Sequence, residues 1–171
     1  NAAYSITADK ETGDQNKRYL TVKKDFATTG VVAPAYLKEV VYMDLLEKNV
    51  AIKIENIYYD LDKADIRPSA AAELDKLIAI LEDNPTMEIE LSSHTDCRSS
   101  AKYNMSLSSR RAESAVYYMA KQAIDQRRMI ATGYGESRLV NDCKCEGGVV
   151  VKCSEEQHQE NRRTEFKILK F

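Results

Sequence analysis

The chain has 171 residues, 43% of them hydrophobic, and a formal net charge of -2 at neutral pH. This length allows one domain with its own core and an additional segment. A near-neutral charge argues against nucleic acid as the main partner, since phosphate binding usually needs a basic face. No run approaches the roughly 20 apolar residues of a membrane-spanning helix. Residue 1 is Asn and no signal peptide follows it, so we expect a mature protein or an excised fragment.

Residues 1–48 differ in pattern from the rest and predict a short β-rich N-terminal segment, either a linker or the tail of an upstream β domain. Alternating residues at 4–8 and 19–23 flank turn-forming residues at 11–14, so a β-hairpin is expected. Residues 40–43 predict a further strand that leads into the next domain. We therefore place a second, larger domain at residues 49–171.

The second domain shows an alternation of strand and helix patterns. Period-two alternation predicts four strands, at residues 51–59, 87–91, 129–134 and 164–169. Helical spacing and capping signals predict three helices, at residues 67–83 and 107–121 and from the capping box at 154–157. Polar loops are expected at residues 92–103 and 135–152. This order predicts an α+β fold of the β-α-β-α-β-β type, a sandwich with helices packed on one mixed sheet.

Four cysteines carry information about the cellular compartment. Cys97 stands alone, whereas Cys143, Cys145 and Cys153 lie within one loop-rich stretch. An even count in such a stretch predicts two disulfides and an oxidising compartment. Cysteines separated by one residue, as Cys143 and Cys145 are, rarely form a disulfide with each other. Each is therefore expected to pair with Cys97 or Cys153, and both pairings stay open. A zinc site is the alternative, but C-x-C-x7-C fits poorly the spacing of typical zinc sites.

A carboxylate and a guanidinium, Asp96 and Arg111, suit the recognition of a small zwitterion. Asp96 follows the second predicted strand of this domain, and Arg111 lies in the first turns of the next predicted helix. The carboxylate can bind an ammonium group, and the guanidinium can bind a carboxylate through two parallel hydrogen bonds. A binding module for a zwitterionic ligand is the leading hypothesis. The alternatives are a turn or capping role for Asp96 and an ordinary surface ion pair for Arg111.

Several short motifs follow one another in a recognisable order along residues 50–171. They are Tyr59-Asp60, Pro85, His94-Thr95-Asp96, Asn104, Leu107-Ser108-Ser109-Arg110-Arg111-Ala112, Gly133-Tyr134-Gly135 and Asn161-Arg162-Arg163-Thr164-Glu165. Together they resemble the C-terminal domain of the OmpA and MotB family of peptidoglycan-binding proteins. Ser93 and Ser99 depart from that pattern, because the family has glycine at both positions, and glycine permits backbone angles that serine does not.

The resemblance implies a protein that binds the diaminopimelate of the peptidoglycan stem peptide, without catalysis, cofactor or metal. The implied ligand-binding residues are Asp96 for the ammonium, Arg111 for the carboxylate, Asn104 and Arg162 for further hydrogen bonds, and Asp62 in the loop beside the pocket. Arg110 competes with Arg111, which matches the motif better. Arg162 and Arg163 are ambiguous in the same way. Because both begin a predicted strand, they should face opposite sides, with one of them in the pocket.

The cysteines are not part of the general family pattern. They resemble those of OmpA-like outer-membrane lipoproteins of Bacteroidetes, in which such domains anchor assemblies, including the type IX secretion machinery, to the cell wall. The resemblance thus implies a location at the periplasmic face of the outer membrane. It also implies envelope or secretion-system proteins as further partners, and membrane contact only through a part of the parent protein outside this chain.

Two other functions compete with wall anchoring. A cell-wall hydrolase would need a metal triad or a separated carboxylate pair, and His94 and His158 lack zinc-ligand spacing. We expect His94 to be structural and His158 to be exposed on a helix. The other function is a protein–protein interaction module of an envelope complex, with a vestigial pocket. The N-terminal segment at residues 1–48 and the long loop at residues 135–152, which we call the cysteine loop, leave it open as an added role. The acidic loop at residues 60–65 is similar to a calcium loop, but it lacks the required glycine and the terminal bidentate Glu.

Overall fold

The computed structural model describes residues 2–28, 43–54, 57, 59, 64–145 and 152–171. The strands are β1 (Ala2–Ala8), β2 (Lys17–Tyr19), β3 (Val22–Thr28), β4 (Leu45–Glu47), β5 (Ala51–Ile54), β6 (Glu88–His94), β7 (Met129–Gly135) and β8 (Thr164–Lys170). The helices are α1 (Pro68–Asp83), α2 (Ala101–Lys121) and α3 (Glu155–Asn161), with a 3₁₀ turn at Gln126–Arg128.

The main sheet has four strands in the order β5-β8-β6-β7. The β6–β7 pair is parallel, and the other two pairs are antiparallel. The parallel pair is joined through α2, because parallel neighbours need a long crossover connection. Fully buried side chains from both long helices and the sheet form one core, among them Leu74, Leu81, Met119, Ile89, Leu91 and Ile168. The predicted α+β fold with a mixed sheet is confirmed.

Helix α1 begins and ends where the sequence predicts. Pro68 occupies its first turn, where a backbone N–H would have no acceptor within the helix, so the N–H that proline lacks costs no hydrogen bond. Asn84 closes it by donating its backbone N–H to the Ile80 carbonyl at 3.0 Å. The predicted loop at residues 92–103 is wrong at both ends, because β6 continues to His94 and α2 begins at Ala101 behind the N-cap Ser100. The residues that extend β6 are buried, although they are polar.

The N-terminal segment forms the expected hairpin with different partners. β1 pairs antiparallel with β3, from Ala2 opposite Thr28 to Ala8 opposite Val22. The predicted second strand, residues 19–23, is therefore shifted, since Tyr19 pairs with Leu45 in the small β2–β4 sheet instead. Residues 40–42 of the third predicted strand lie outside the described part of the chain.

This segment also contacts the larger domain. Leu20 and Leu46 pack against the core. The Thr21 backbone N–H donates to the Asn84 side chain at 3.3 Å, and the Lys23 ammonium lies 2.7 Å from the Asp83 carboxylate. The boundary between residues 48 and 49 stays a prediction. The strand predicted at 51–59 is confirmed for Ala51–Ile54 and is wrong at Ile57 and Tyr59, which lie outside any strand. Asp60 and Asp62 lie outside the described residues.

Two disulfides use all four cysteines. Cys97 pairs with Cys145, with Cα atoms 5.4 Å apart, and Cys143 pairs with Cys153, at 6.0 Å. The predicted two-disulfide framework is confirmed, and one of the two open pairings is selected. The zinc alternative is wrong, because no thiolate is left to bind a metal ion.

The two bridges should differ in what they contribute to stability. Cys97–Cys145 closes a separation of 48 residues and Cys143–Cys153 one of 10. Since a longer closed loop restricts the unfolded chain more, we expect losses in unfolding free energy of about 4 and about 3 kcal/mol when each pair is replaced by alanine. Urea unfolding of the two double variants measures this difference. An equal or reversed order would contradict the expectation.

Candidate ligand-binding site

A cavity of about 410 Å³ opens between the start of α1, the middle of α2 and the connection from α3 to β8. Four arginines line the cavity: Arg67, Arg111, Arg162 and Arg163. Tyr59 and Gln159 also line it. Ser93 and His94, at the end of β6, also contribute to its wall. A cavity of this size accommodates a small ligand or the end of a longer one.

Arg111 is held in the cavity wall by an aromatic ring. It is only 7% exposed, and its guanidinium carbon lies 4.8 Å from the centre of the Tyr59 ring. The Tyr59 hydroxyl donates to the Arg111 carbonyl at 3.1 Å. Burial raises the pKa of Tyr59 to about 12, against the opposing effects of a Thr164 hydrogen bond and the Arg111 charge. Arg110 is exposed and is not among the lining residues.

Asp96 lies two residues after the end of β6 and is 8% exposed. Its Oδ1 accepts the backbone N–H of Arg98 at 3.1 Å. Its Oδ2 accepts hydrogen bonds from Arg98 Nε at 3.1 Å and Nη2 at 2.7 Å, and from Arg162 Nη1 at 2.6 Å. Burial would raise the pKa of Asp96, but the hydrogen bonds from the two arginines outweigh it and lower that pKa. Asp96 itself is not among the cavity-lining residues; Arg162 connects it to the cavity.

Glu155, at the start of α3, links the same two arginines. Its Oε2 lies 2.8 Å from Arg98 Nη1, and its Oε1 lies 2.5 Å from Arg162 Nη2. These two guanidinium groups lower the pKa of Glu155. The result is a closed network of two carboxylates and two guanidinium groups, which we call the Asp96 network: Asp96, Arg98, Glu155 and Arg162. The sequence prediction did not include Arg98 or Glu155.

Asn104 supports the loop that carries Asp96. It is 3% exposed, and its side-chain nitrogen donates to the Asp96 carbonyl at 3.0 Å and contacts the Glu136 carboxylate. It does not line the cavity. In this structure, therefore, its contacts position the backbone at Asp96, and a direct hydrogen bond to a ligand stays a prediction.

The expectation that Arg162 and Arg163 face opposite sides, with only one in the pocket, is wrong. Both line the cavity, because they precede β8 and so do not follow the alternation of a strand. Arg163 Nε donates to Glu165 at 2.6 Å. Glu165 also lies 3.3 Å from His94 Nε2. The His94 contact and Arg163 lower the pKa of Glu165 to about 2, against the opposing effect of burial.

The two histidines are both buried. His94 is 1% exposed and stacks on Tyr134 with ring centres 5.3 Å apart, which fits the expected structural role. The expectation that His158 is exposed is wrong, since it is 4% exposed. It lies one turn before the buried Asn161, on the face of α3 that packs against the cysteine loop, where the Asn161 side chain accepts the Val140 N–H at 2.8 Å.

The serines at the two glycine positions of the family pattern need no unusual backbone. Ser93 pairs with Gly133 and Thr164 inside the sheet. Among the described residues, Asn49 and Ala123 are the non-glycine positions with positive φ, and Ser99 is not one of them.

The described parts of the chain do not contain a group of three or more His, Cys, Asp or Glu that could hold a metal ion. The described helices include none that is long and apolar enough to cross a membrane.

Comparison with known proteins identifies relatives at the sequence level. A model of the OmpA family matches residues 58–150, more than half of the chain. The chain is 30% identical over 118 residues to outer membrane porin F of Pseudomonas fluorescens, covering 68% of this chain and 33% of that protein. It is 32% identical over 89 residues to the peptidoglycan-associated lipoprotein of Rhizobium meliloti, covering 52% of this chain and 51% of that protein. The chain thus spans about one third to one half of these curated relatives.

Solved structures share the fold at lower sequence identity. The peptidoglycan-associated lipoprotein from Burkholderia pseudomallei is 22% identical with a TM-score of 0.56, covering 66% of this chain and 87% of that chain. A putative MotB-like protein from Desulfovibrio vulgaris is 21% identical with a TM-score of 0.57, covering 71% and 72%. The cell wall anchor of the T6SS from Pseudomonas aeruginosa is 20% identical with a TM-score of 0.54, covering 71% and 80%. At these identities the likeness establishes the fold.

Proposed function

This chain belongs to the OmpA family, and from that premise we propose that it binds peptidoglycan without catalysing a reaction. In doing so it anchors an envelope protein to the cell wall. The names of its relatives support this, since they include peptidoglycan-associated lipoproteins and the cell wall anchor of a secretion system. Two disulfides fit an oxidising compartment outside the cytoplasm. The proposed location is the periplasmic side of the outer membrane.

The observation that carries the proposal is the buried Arg111 guanidinium in the cavity wall, with the Asp96 carboxylate connected to the same cavity through Arg162. The free end of diaminopimelate is a zwitterion with one ammonium and one carboxylate. A guanidinium can bind that carboxylate through two parallel hydrogen bonds, and a carboxylate can bind the ammonium. We propose Arg111 and Asp96 for these two roles, Arg162 for a further ligand contact, and Asn104 and Asp62 as supporting residues.

The parent protein is proposed to be an outer-membrane lipoprotein of the Bacteroidetes type that joins an envelope assembly such as the type IX secretion machinery. The positions of the four cysteines support this narrower proposal. We propose residues 1–48 for contacts with other envelope proteins, because none of the described residues among them lines the candidate cavity.

Calorimetric titration of stem peptides tests the proposed function. We expect the protein to bind a stem peptide that contains diaminopimelate and to bind at least tenfold more weakly the matched peptide with lysine at that position. Lysine has the ammonium but lacks the second carboxylate, so it leaves Arg111 without its counter-charge. Equal binding of both peptides would contradict recognition of the zwitterion. No binding of either peptide by the folded protein would favour a role in protein–protein interaction, and release of soluble fragments from purified cell wall would favour a hydrolase.

A further inference from the structure

One oxygen of the Asp96 carboxylate, Oδ2, is already saturated with hydrogen bonds from within the protein. Oδ2 receives two donors from the Arg98 guanidinium and one from Arg162, and Oδ1 receives the Arg98 backbone N–H. Each carboxylate oxygen offers about two lone-pair positions. Oδ2 is therefore saturated, whereas Oδ1 retains about one position, so a ligand ammonium that is to contact Oδ2 must displace one of the two guanidinium groups.

Arg98 is the group that can leave more easily. Its side chain is 41% exposed, whereas that of Arg162 is 24% exposed and is also held by Gln159, at 3.1 Å and 2.5 Å. Arg98 also has a second acceptor in place, because its Nη1 donates to Glu155 at 2.8 Å while its Nη2 donates to Asp96. Glu155 is 62% exposed at its side chain, so it can follow the guanidinium outward.

We propose that Arg98 is a built-in competitor for the ligand ammonium at Asp96, and that Glu155 retains Arg98 when the ligand displaces it. This inference rests on the proposed function. Before binding, Arg98 neutralises Asp96; on binding, the ammonium takes over the Oδ2 contacts and Arg98 keeps its contact with Glu155. The competition lowers affinity, since a ligand ammonium that binds at Oδ2 replaces two hydrogen bonds from Arg98.

The two members of this competition should have opposite effects on affinity. Removing the competitor in Arg98→Ala should tighten binding of the diaminopimelate stem peptide by about threefold to tenfold. Removing the alternative acceptor in Glu155→Gln should weaken binding by about twofold to fivefold, because Arg98 then has only Asp96 as a charged partner. Calorimetric titration of both variants and the wild type measures these shifts.

The chain contains a matched control in Asp125 and Arg127. Arg127 donates its backbone N–H to Asp125 Oδ1 at 3.0 Å and its Nη2 to Oδ2 at 2.6 Å, which is the same local arrangement as Arg98 on Asp96, but outside the Asp96 network. Arg127→Ala should leave affinity unchanged. A second readout is the pKa of Asp96, followed by NMR, which should rise in Arg98→Ala and stay constant in Arg127→Ala.

The outcomes separate the inference from the proposed function. Tighter binding by Arg98→Ala together with weaker binding by Glu155→Gln supports the competition. Measurable binding by Arg98→Ala when the wild type shows none supports it as well. Wild-type binding that is unchanged or weaker in Arg98→Ala overturns the competition and leaves the proposed function standing. Absence of binding by the wild type and by Arg98→Ala, both folded, overturns the two together.

Discussion

Replacing Arg111 by alanine is expected to abolish measurable binding of the diaminopimelate stem peptide. Arg111 is 7% exposed, so a ligand carboxylate that reaches it is shielded from water. Without the guanidinium this carboxylate would be buried and unpaired, which costs about 2–5 kcal/mol of binding free energy. That loss corresponds to a decrease in affinity of about 30-fold to 4,000-fold. Calorimetric titration against the wild type measures it.

Three comparisons make this result interpretable. Arg110→Ala removes the neighbouring, exposed guanidinium and should bind like the wild type. Arg111→Lys keeps the positive charge but loses the planar fork and the stacking on Tyr59, so it should recover only part of the affinity. Thermal unfolding shows whether Arg111→Ala is folded. A folded Arg111→Ala that binds like the wild type would remove Arg111 from the proposed site.

The sequence predicted those parts of the fold whose signals are local. Helix α1 was predicted closely, because Pro68 and Asn84 both mark its ends and its apolar residues recur at helical spacing. The end of β6 was missed because Ser92, Ser93 and His94 are polar yet buried, which hides the strand from a hydrophobic pattern. The start of α2 was missed in the same way, since its first turn contains polar residues and its capping residue, Ser100, is one of several serines nearby.

The sequence motifs indicated individual residues of the candidate site, but they did not indicate contacts between distant segments of the chain. Arg111 and Arg162, which the family resemblance implies as ligand-binding residues, line the cavity, and their ligand contacts stay predictions. The Asp96 network was not predicted, because Arg98 and Glu155 are 57 residues apart and only the packing of α3 brings them together. The faces of Arg162 and Arg163 were mispredicted because strand alternation was applied to both, although they precede the strand, which begins at Thr164.

The largest effect of a single substitution on stability is expected from Gly133→Ala. A Cβ atom added at Gly133 would lie 2.6 Å from the Ser109 Cα and closer still to the Ser109 backbone nitrogen. Backbone atoms within a helix cannot move away one at a time, so α2 would have to shift away from β7. We expect a loss of about 3 kcal/mol in the free energy of unfolding, near the upper end of the range for overpacked cores. Urea unfolding measures this loss.

Two further variants separate the collision from other effects of losing a glycine. Gly13 has a φ of +73° and no atom within 4 Å of an added Cβ, so Gly13→Ala should cost only about 1 kcal/mol of backbone strain. Ser109→Ala removes the side-chain oxygen near Gly133 but leaves the backbone atoms, so it should not rescue Gly133→Ala. Equal losses of unfolding free energy for Gly133→Ala and Gly13→Ala would show that the close approach of α2 and β7 does not make Gly133 necessary for stability.

The same collision reaches the candidate site through α2. This helix carries both Asn104, which holds the Asp96 loop, and Arg111, which lines the cavity. A shift of the helix backbone at Ser109 moves Arg111, only two residues away, relative to Arg162 and Arg163, which enter the cavity from the α3–β8 side. At a temperature where Gly133→Ala is still folded, it should therefore bind the stem peptide more weakly than Gly13→Ala does. Close packing of a glycine on a helix is, in this domain, a condition for placing the guanidinium that we propose binds the ligand.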